Sequence, residues 1–306
     1  MSTSSVLERI DAPGPLESTR WRLGLPFAFL HLGLLGLVFV GWSYVAIGAA
    51  VVSYATRAFG ITGFYHRCFA HRAFSVSRRV QFLGALAGAA AAQRGPLWWV
   101  AHHREHHRFT DEFGDPHSPV VDSFLYSHVL WIFRPQNAAT KIELVPDLAS
   151  FPELRLIDRF EHVVPGAFAA LMFAIGTALG QLDPRLHTSG LQMLAWGFVL
   201  PTIVLYHSTF AVNSIGHRFG RRRFETPDAS RNNWVVALLV LGEGWHNNHH
   251  RFPTSARQGI GRYEVDPTWW VIRGMRSLRI ATSLRGFPAS LAALRAQSGT
   301  VTQERS

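Results

Sequence analysis

Cysteine, lysine and charge in general are scarce in this sequence of 306 residues. The single cysteine, Cys68, excludes an internal disulfide and any cysteine-rich zinc or iron–sulfur site. Lys141 is the only lysine. Charged residues make up 16% of the chain, against about 25% in a typical soluble domain. Hydrophobic residues make up 48%, and they include 22 Phe and 10 Trp. This balance indicates a protein partly dissolved in lipid.

The shortage of acidic side chains leaves a net charge of +10. A basic chain suits nucleic acid, an anionic membrane face or an acidic partner. Because this chain also has apolar runs of lipid-crossing length, we expect membrane lipid and an acidic protein as partners, and no nucleic acid.

Four apolar stretches are each long enough to cross the roughly 30 Å hydrocarbon layer of a membrane. They form two hairpins and lie at about 23–42, 44–63, 163–182 and 191–211. The predicted fold class is therefore all-α integral membrane, with four transmembrane helices in a membrane domain over 20–283. The polar residues 1–19 lack the pattern of a signal peptide and predict a disordered tail, and 284–306 predict a flexible one.

Arginines set the expected orientation of these helices. Arg9, Arg20 and Arg22 precede the first stretch, and many basic residues lie between the second and third stretches and after the fourth. The two short turns hold only Arg185. By the positive-inside rule both termini and both polar regions face the cytoplasm, at the inner membrane if the source is bacterial. The clustered histidines then all fall on one side of the membrane.

Sixteen histidines are the main anomaly of the composition. The pattern His-x-x-His-His occurs twice, and residues three and four apart share one face of a helix. Imidazole is the commonest metal-ligand side chain, so each pattern predicts three ligands on one helical face. The six histidines are His103, His106, His107, His246, His249 and His250.

Three further histidines lie near the ends of apolar stretches. His66 and His71 are five residues apart, which does not place them on one face of a regular helix. We therefore expect one of them at a helix end, and His66 lies just past the second stretch. His217 follows the fourth stretch in the same way, where it is either a metal ligand or an interfacial residue.

Eight or nine imidazoles exceed what one zinc ion uses, since structural zinc takes four ligands and catalytic zinc three. Two six-coordinate ions would use the whole set and leave room for oxygen. Imidazole suits zinc, copper, iron and nickel, and of these a non-haem pair of irons can activate dioxygen. Paired carboxylates for acid–base work, Ser/His/Asp triads and phosphate-binding glycine loops are not evident in the sequence.

Residues beside the clusters are candidates for supporting roles. Metal-binding imidazoles usually donate their second N–H to a carboxylate, so Asp111, Asp115 and Glu243 are candidate acceptors. Trp99 and Trp245 adjoin the clusters and are candidates for the wall of a substrate tunnel.

Three ionisable residues fall inside the predicted spans. His31 and His207 are expected to be neutral, hydrogen-bonded imidazoles, because charge inside a membrane is costly. Arg57 is expected to extend its guanidinium towards the membrane surface.

On these motifs the chain resembles the membrane fatty acid desaturases, especially the stearoyl-CoA (delta-9) type in its bacterial form. The family has three histidine boxes, and here they match Tyr65–His71, His103–His107 and His246–His250. The flanking residues match as well, at Gly114–His117, Gly242–Gly244 and Phe252–Pro253. The resemblance covers about 23–253.

The resemblance implies four transmembrane helices capped by a cytosolic helical domain that holds two irons. It implies direct ligation by His66, His71, His103, His106, His107, His217, His246, His249 and His250. It also implies that Asn213 holds an iron through a water. The implied reaction uses O2 and two electrons to remove two hydrogens from a fatty acyl chain, which gives a cis double bond. Electrons would come from a separate donor of ferredoxin, rubredoxin or cytochrome b5 type.

One departure from the family pattern bears on the substrate. Animal acyl-CoA desaturases have an Arg-Asp pair directly before the second box, where this chain has Ala101 and His102. This departure weakens the case for an acyl-CoA substrate, and an acyl-lipid and a carrier-protein thioester both stay open beside it. His102 is expected to face away from the metals. The rival functions are a related hydroxylase or ketolase acting on an alkane, sterol or carotenoid, and a histidine-rich metal transporter or sensor.

Overall fold

The computed structural model describes residues 20–288, which are mostly helical. The predicted tail 1–19 and the segment 289–306 lie outside the described residues. The α-helices, α1 to α14 in chain order, are Arg20–Gly33, Gly36–Val40, Tyr44–Phe59, Arg78–Ala89, Pro96–Phe109, Phe124–His128, Pro146–Ala149, Pro152–Arg159, Val163–Leu182, Gly190–Leu194, Leu200–Ser214, Trp234–Leu239, His246–Arg251 and Pro267–Ser277. Two segments are π-helical, Gly60–Ala70 and Ala195–Val199. The 3-10 turns are Leu130–Phe133, Pro135–Asn137, Ile142–Leu144, Pro184–Leu186 and Ile215–His217.

Three continuous helices are long and apolar enough to cross a membrane. They are Tyr44–Ala70 with 27 residues, Val163–Leu182 with 20 and Gly190–His217 with 28. The middle one has the predicted bounds. The other two run past their predicted ends at 63 and 211 and carry His66 and His217 inside the helix. The histidines at these two ends are therefore held by membrane helices rather than by the loops that follow them.

The first apolar stretch differs from the predicted single span over 23–42. The chain turns at 34–35 between α1 and α2, and the apolar helical part, Gly24–Val40, is shorter than the other three. Gly33 and Gly36 flank this turn, and glycine disfavours a helix interior by about 1 kcal/mol relative to alanine. Within 20–288, three helices rather than four meet the length of a span.

Arg57 is buried rather than directed at the membrane surface. Its side chain is 1% exposed, and its guanidinium donates to Thr202 Oγ1 at 2.6 Å and to the carbonyls of Ser53 and Ala90 at 3.2 and 3.3 Å. The expectation of an extended side chain is wrong because neighbouring helices supply acceptors at the depth of the membrane. Arg57 thereby joins α3 and α11 to the end of α4.

The two histidines inside the apolar helices are hydrogen-bonded, as expected. His31 Nε2 lies 3.0 Å from His207 Nε2, and His207 Nδ1 lies 3.1 Å from His128 Nε2. His31 Nδ1 is 2.7 Å from the Phe27 carbonyl oxygen. This row of imidazoles ties α1 and α6 to α11.

The core beneath the histidines is built from the π-helical segment, α4, α5 and α8. A two-residue antiparallel sheet pairs β1, Ser75–Val76, with β2, Ala281–Thr282. After β2 the Arg285 N–H donates to the Ala73 carbonyl, and the Arg285 carbonyl accepts from the Ala256 N–H. The first residues of the predicted flexible tail, 284–288, thus lie against the histidine-bearing part of the chain.

Candidate metal centre

His66 and His71 lie on a π-helical turn that continues α3. The His71 N–H donates to the His66 carbonyl at 3.1 Å. A hydrogen bond of this kind joins residues five apart, and it brings the two rings to 4.8 Å between centroids. One of the two histidines was expected at a helix end, and His71 lies there, directly after the last π-helical residue, whereas His66 was favoured for that position. A π-helical turn replaces the α-helical geometry that was assumed for the five-residue spacing.

The second cluster lies on α5, whose start is fixed by its N-terminal contacts. Pro96 occupies the first turn, and Asp158 Oδ1 accepts from the N–H groups of Leu97 and Trp98, both at 2.9 Å. These contacts satisfy amide donors that a helix start leaves free. The helix therefore presents His103, His106 and His107 together, as their spacing predicts.

The third cluster lies on α13, which has only six residues and is held by the asparagines between its histidines. Asn247 Oδ1 accepts from the N–H groups of Arg223 and Phe224 at 2.8 and 2.7 Å. Asn248 donates to the Gln258 carbonyl at 3.0 Å. Both asparagines are buried. Their role was not evident from the sequence, because their partners lie in distant loops.

The nine histidines converge as two groups. In each group the available ligand atoms lie within 4.8 Å of one another. The first group is His66, His71, His103, His107 and His249, and the second is His106, His217, His246 and His250. Each His-x-x-His-His pattern contributes to both groups. The two groups are consequently adjacent, and each has enough imidazoles for one metal ion.

Buried carboxylates lie behind four of these imidazoles. The three carboxylates singled out from the sequence accept from Nδ1 atoms: Asp111 from His217 at 2.8 Å, Asp115 from His106 at 3.0 Å and Glu243 from His66 at 2.6 Å. A fourth pair, Asp228 and His250 at 3.1 Å, was not anticipated. No regular spacing links Asp228 to the third cluster, so the sequence carried no signal for it.

The carboxylates are ionised, and burial favours the neutral form of four of the imidazoles. Burial raises the pKa of Glu243, but the charges of His66 and Arg67 and its hydrogen bonds outweigh burial and lower the pKa to about 2. The pKa of Asp115 is likewise low, because the charge and hydrogen bond of His106 outweigh burial. Burial lowers the pKa of the ligand histidines His103, His107, His246 and His249. Neutral imidazole is the form that binds metals.

The hydrogen-bond pattern of the second group fits a bound cation. His246 Nε2 lies 2.9 Å from His217 Nε2 and 3.0 Å from His250 Nε2. Asp111 and Asp228 hold protons on Nδ1 of His217 and His250, so both of these Nε2 atoms present lone pairs. His246 Nε2 can donate to only one of them. A metal ion bound between the three nitrogens would satisfy all of these lone pairs.

The first group has the same inward arrangement. His249 Nε2 lies 3.1 Å from His66 Nε2 and 2.9 Å from His107 Nε2. His71 Nε2 and His103 Nε2 are 2.7 Å apart. A set made only of imidazole nitrogens suits iron, zinc, copper or nickel rather than magnesium or calcium, which take oxygen ligands. The residues present therefore fit a transition metal in each group.

A cavity of about 370 Å³ leads from both groups towards α1. At its inner end it is lined by His66, His103, His106 and His246, and Asn213 lies beside them, one helical turn before His217. Trp99 lines the cavity, as predicted for a tunnel wall. Within the described chain Trp245 lies outside this lining, because its indole N–H donates to the Val265 carbonyl at 2.7 Å. The Trp245 expectation is thus not supported by the geometry.

A second pocket of about 330 Å³ reaches the histidines from another side. It is polar and is lined by His71 and His107 of the first group and His250 of the second, together with Arg108 and Glu112. The metal groups therefore lie between an apolar cavity and a polar pocket.

His102 and His117 line the cavity without belonging to either metal group. His102 lies one turn before His106 on α5, so its ring points into the cavity, and its Nδ1 is 2.9 Å from the Trp98 carbonyl oxygen. His117 packs on His106 with ring centroids 4.5 Å apart. In the sequence His117 stands out only as part of a flanking match.

Fold and site together define a helical membrane protein with a polyhistidine metal centre. The family model "Fatty acid desaturase" matches residues 40–277. An sn-2 palmitoyl-lipid 9-desaturase from a Nostoc strain is 36% identical over 282 residues, which cover 90% of this chain and 93% of the relative. An acyl-CoA 5-desaturase from Anemone leveillei is 36% identical over 260 residues, or 84% and 76% of the two chains. A delta-9 acyl-lipid desaturase from Arabidopsis thaliana is 34% identical over 262 residues, or 84% and 80%.

The chain belongs to the fatty acid desaturase family. It is an enzyme that desaturates fatty acids.

Proposed function

We propose that this protein is an oxygen-dependent di-iron desaturase that introduces a cis double bond into a fatty acyl chain. The observation that carries the proposal is the pair of imidazole groups that border a mainly apolar cavity. Such a site can hold two redox-active metals beside a hydrocarbon chain.

Each group would hold one iron. His66, His71, His103, His107 and His249 would bind the first ion, and His106, His217, His246 and His250 the second. The second group has one imidazole fewer, and Asn213 in the cavity wall would complete it through a water. With O2 and two electrons, bound iron would supply the oxidising power that removes one hydrogen from each of two adjacent methylenes.

The protein itself positions the metal ligands and the acyl chain, and it excludes water from the site. Asp111, Asp115, Asp228 and Glu243 fix the ring orientation and tautomer of four ligands. The cavity wall, mostly aromatic and aliphatic side chains, holds the acyl chain extended next to the metals. Removal of hydrogen from an unactivated methylene does not require an acid–base side chain, so the proposed roles of these residues are to bind metal and to shape the cavity.

The substrate is proposed to be a fatty acyl-CoA or an acyl-lipid, the two classes named among the relatives. We propose four membrane-spanning segments, with the interrupted helix at 24–40 as the first, both termini in the cytoplasm and the histidines in a cytosolic cap. A separate electron donor could approach both histidine groups through the polar pocket, which is lined by His71, His107 and His250 and lies outside the cavity.

Expression in a host that lacks the product tests the proposal. With iron and a ferredoxin-type donor supplied, the fatty acid profile should gain a species lighter by two hydrogens, and purified protein should contain about two irons per chain. The His249→Ala variant should insert into the membrane but form no product. A product heavier by one oxygen would indicate a hydroxylase instead, and zinc as the only bound metal would overturn the iron assignment.

A further inference from the structure

Three buried nitrogen atoms in the cavity wall have no hydrogen-bond partner within the described part of the chain. They are His102 Nε2, His117 Nδ1 and Trp131 Nε1. Their residues are 1%, 5% and 6% exposed, and all three line the cavity. Buried polar groups in folded proteins nearly always have partners. These unpaired nitrogens therefore indicate that the cavity binds a ligand with a polar atom.

Two of these nitrogens have defined hydrogen-bonding roles. His102 Nδ1 lies 2.9 Å from the Trp98 carbonyl oxygen, which can only accept, so Nδ1 carries the proton and Nε2 presents a lone pair. The indole of Trp131 can only donate. The wall thus offers one donor and one acceptor on rings whose centroids are 6.2 Å apart.

The position of this pair separates it from the metal groups. His102 precedes the ligand His106 by one turn of α5, about 6 Å along the helix axis. Trp131 stacks on Trp98, a further turn away, with centroids 5.7 Å apart. The donor and the acceptor therefore lie along the cavity, beyond the end occupied by the metal ligands.

The strongest hydrogen-bond acceptor next to the hydrocarbon chain of an acyl substrate is the carbonyl oxygen of the ester or thioester. We propose that the Trp131 indole N–H donates to this carbonyl oxygen, so that His102 and Trp131 form an acyl-carbonyl subsite. A water beside the carbonyl donates one hydrogen to His102 Nε2 and the other to the same oxygen. This inference rests on the proposed function, since it assumes an acyl chain in the cavity.

The subsite fixes where the acyl chain lies along the cavity. A carbonyl held at a fixed point of the wall determines which methylenes lie next to the two imidazole groups. The position of the double bond, counted from the carboxyl end, then depends on the distance between the subsite and the metals. An ester of a membrane lipid and a thioester of coenzyme A share this carbonyl, whereas an ether-linked lipid lacks it.

The Trp131→Phe variant tests the subsite, because it removes the N–H and keeps an aromatic ring in the wall. A neutral hydrogen bond of ordinary strength corresponds to about a three- to tenfold change in binding. KM for the acyl substrate should rise by that factor with kcat nearly unchanged, and products should include double bonds at neighbouring positions. Trp196→Phe is the matched control, since its N–H donates to the Gly41 carbonyl in a helix turn outside the cavity.

Binding without turnover separates the subsite from the reaction. Metal-loaded protein without O2 is titrated with stearoyl-CoA, with distearoyl phosphatidylcholine in nanodiscs and with the dialkyl ether analogue of that lipid. Trp131→Phe should weaken binding of a carbonyl-containing ligand three- to tenfold and leave the ether lipid unchanged. The arm that responds, thioester or ester, identifies the source of the carbonyl.

Equal weakening of ester and ether ligands, or none, together with an unchanged product position, would overturn the subsite. Carbonyl-dependent binding in a wild-type protein that forms no unsaturated product would support the subsite and contradict the proposed reaction. The two failures are thus distinguishable.

Discussion

At the scale of single residues, the arrangement of the imidazoles depends on the carboxylates that lie behind them. Each of Asp111, Asp115, Asp228 and Glu243 is nearly buried and accepts from one imidazole Nδ1. The contact directs Nε2 inwards and fixes the tautomer that leaves its lone pair free. Arg67 in turn lies 3.0 Å from Glu243 and 2.9 Å from Asp266, which compensates the buried negative charge.

The Asp228→Asn variant tests this arrangement at the second metal group. The amide oxygen can keep the bonds of Oδ1 to the Ser230 N–H and Thr226 Oγ1, while the NH2 group faces His250 Nδ1, where an acceptor is required. We expect metal affinity at this group to fall tenfold to a hundredfold, so that iron content drops from about two to about one per chain.

Metal analysis after dialysis at limiting iron measures this effect. Asp183→Asn, in a surface turn where the carboxylate binds Arg185, is the control and should retain the wild-type iron content. Full retention of both irons by Asp228→Asn would refute the role of the carboxylate.

The predictability of these residues follows from their distance along the chain. Asp111 and Asp115 lie four to nine residues after His106 and His107, and Glu243 lies three residues before α13, so proximity in sequence indicated them. Asp228 comes from a loop with several polar side chains and no periodicity. Only the folded loop distinguishes Asp228 from its neighbours.

At the scale of elements, the π-helical segment depends on close packing against α4. A Cβ on Gly60 would collide with the backbone of Ala87 and Gly88, and a Cβ on Gly88 would collide with the ring of Tyr65. Glycines at this crossing let the two backbones approach and leave room for the ring. The packing holds the turn on which His66 and His71 lie.

The Gly60→Ala variant should therefore destabilise the protein. Forcing an extra methyl into a packed crossing costs about 1–3 kcal/mol, and thermal unfolding in detergent should show a lower midpoint together with weaker metal retention. The control is Gly48→Ala on α3, where a Cβ meets nothing within 4 Å. Because alanine favours a helix by up to about 1 kcal/mol over glycine, this control should unfold at the same temperature or higher. Equal midpoints for the two variants would contradict the packing argument.

At the scale of the whole molecule, the metal groups lie at one end of the long apolar helices. His66 is near the end of Tyr44–Ala70, and His217 is the last residue of Gly190–His217. The short turns at the opposite helix ends, near Trp42 and His187, carry no metal ligand among the described residues. The position of both histidine groups at one end of the helices agrees with the proposed cytosolic cap.

Cysteine labelling tests the proposed orientation. In a Cys68→Ala background, Trp42→Cys and His187→Cys should react with a membrane-impermeant thiol reagent in intact cells, because both turns are expected to face outwards. Arg221→Cys, on the basic histidine-bearing side, should react only after the membrane is opened. Labelling of the Arg221 position alone in intact cells would show that the orientation is the opposite of the proposed one.

The sequence by itself determined the composition of the metal centre. In each His-x-x-His-His pattern the second and third histidines lie three and four residues after the first, and any α-helix brings such side chains to one face. Apolar length likewise indicated the spans at 44–63, 163–182 and 191–211, since hydrophobic thickness alone sets that requirement.

Only the tertiary structure decided how these parts combine. The partition of nine imidazoles into groups of five and four, the pairing of Asp228 with His250 and the place of Trp245 outside the cavity all depend on contacts between distant segments. The π-helical turn that unites His66 with His71 depends on the packing of Gly60 on α4. Local propensity does not predict such contacts, because their energy arises only once the segments meet.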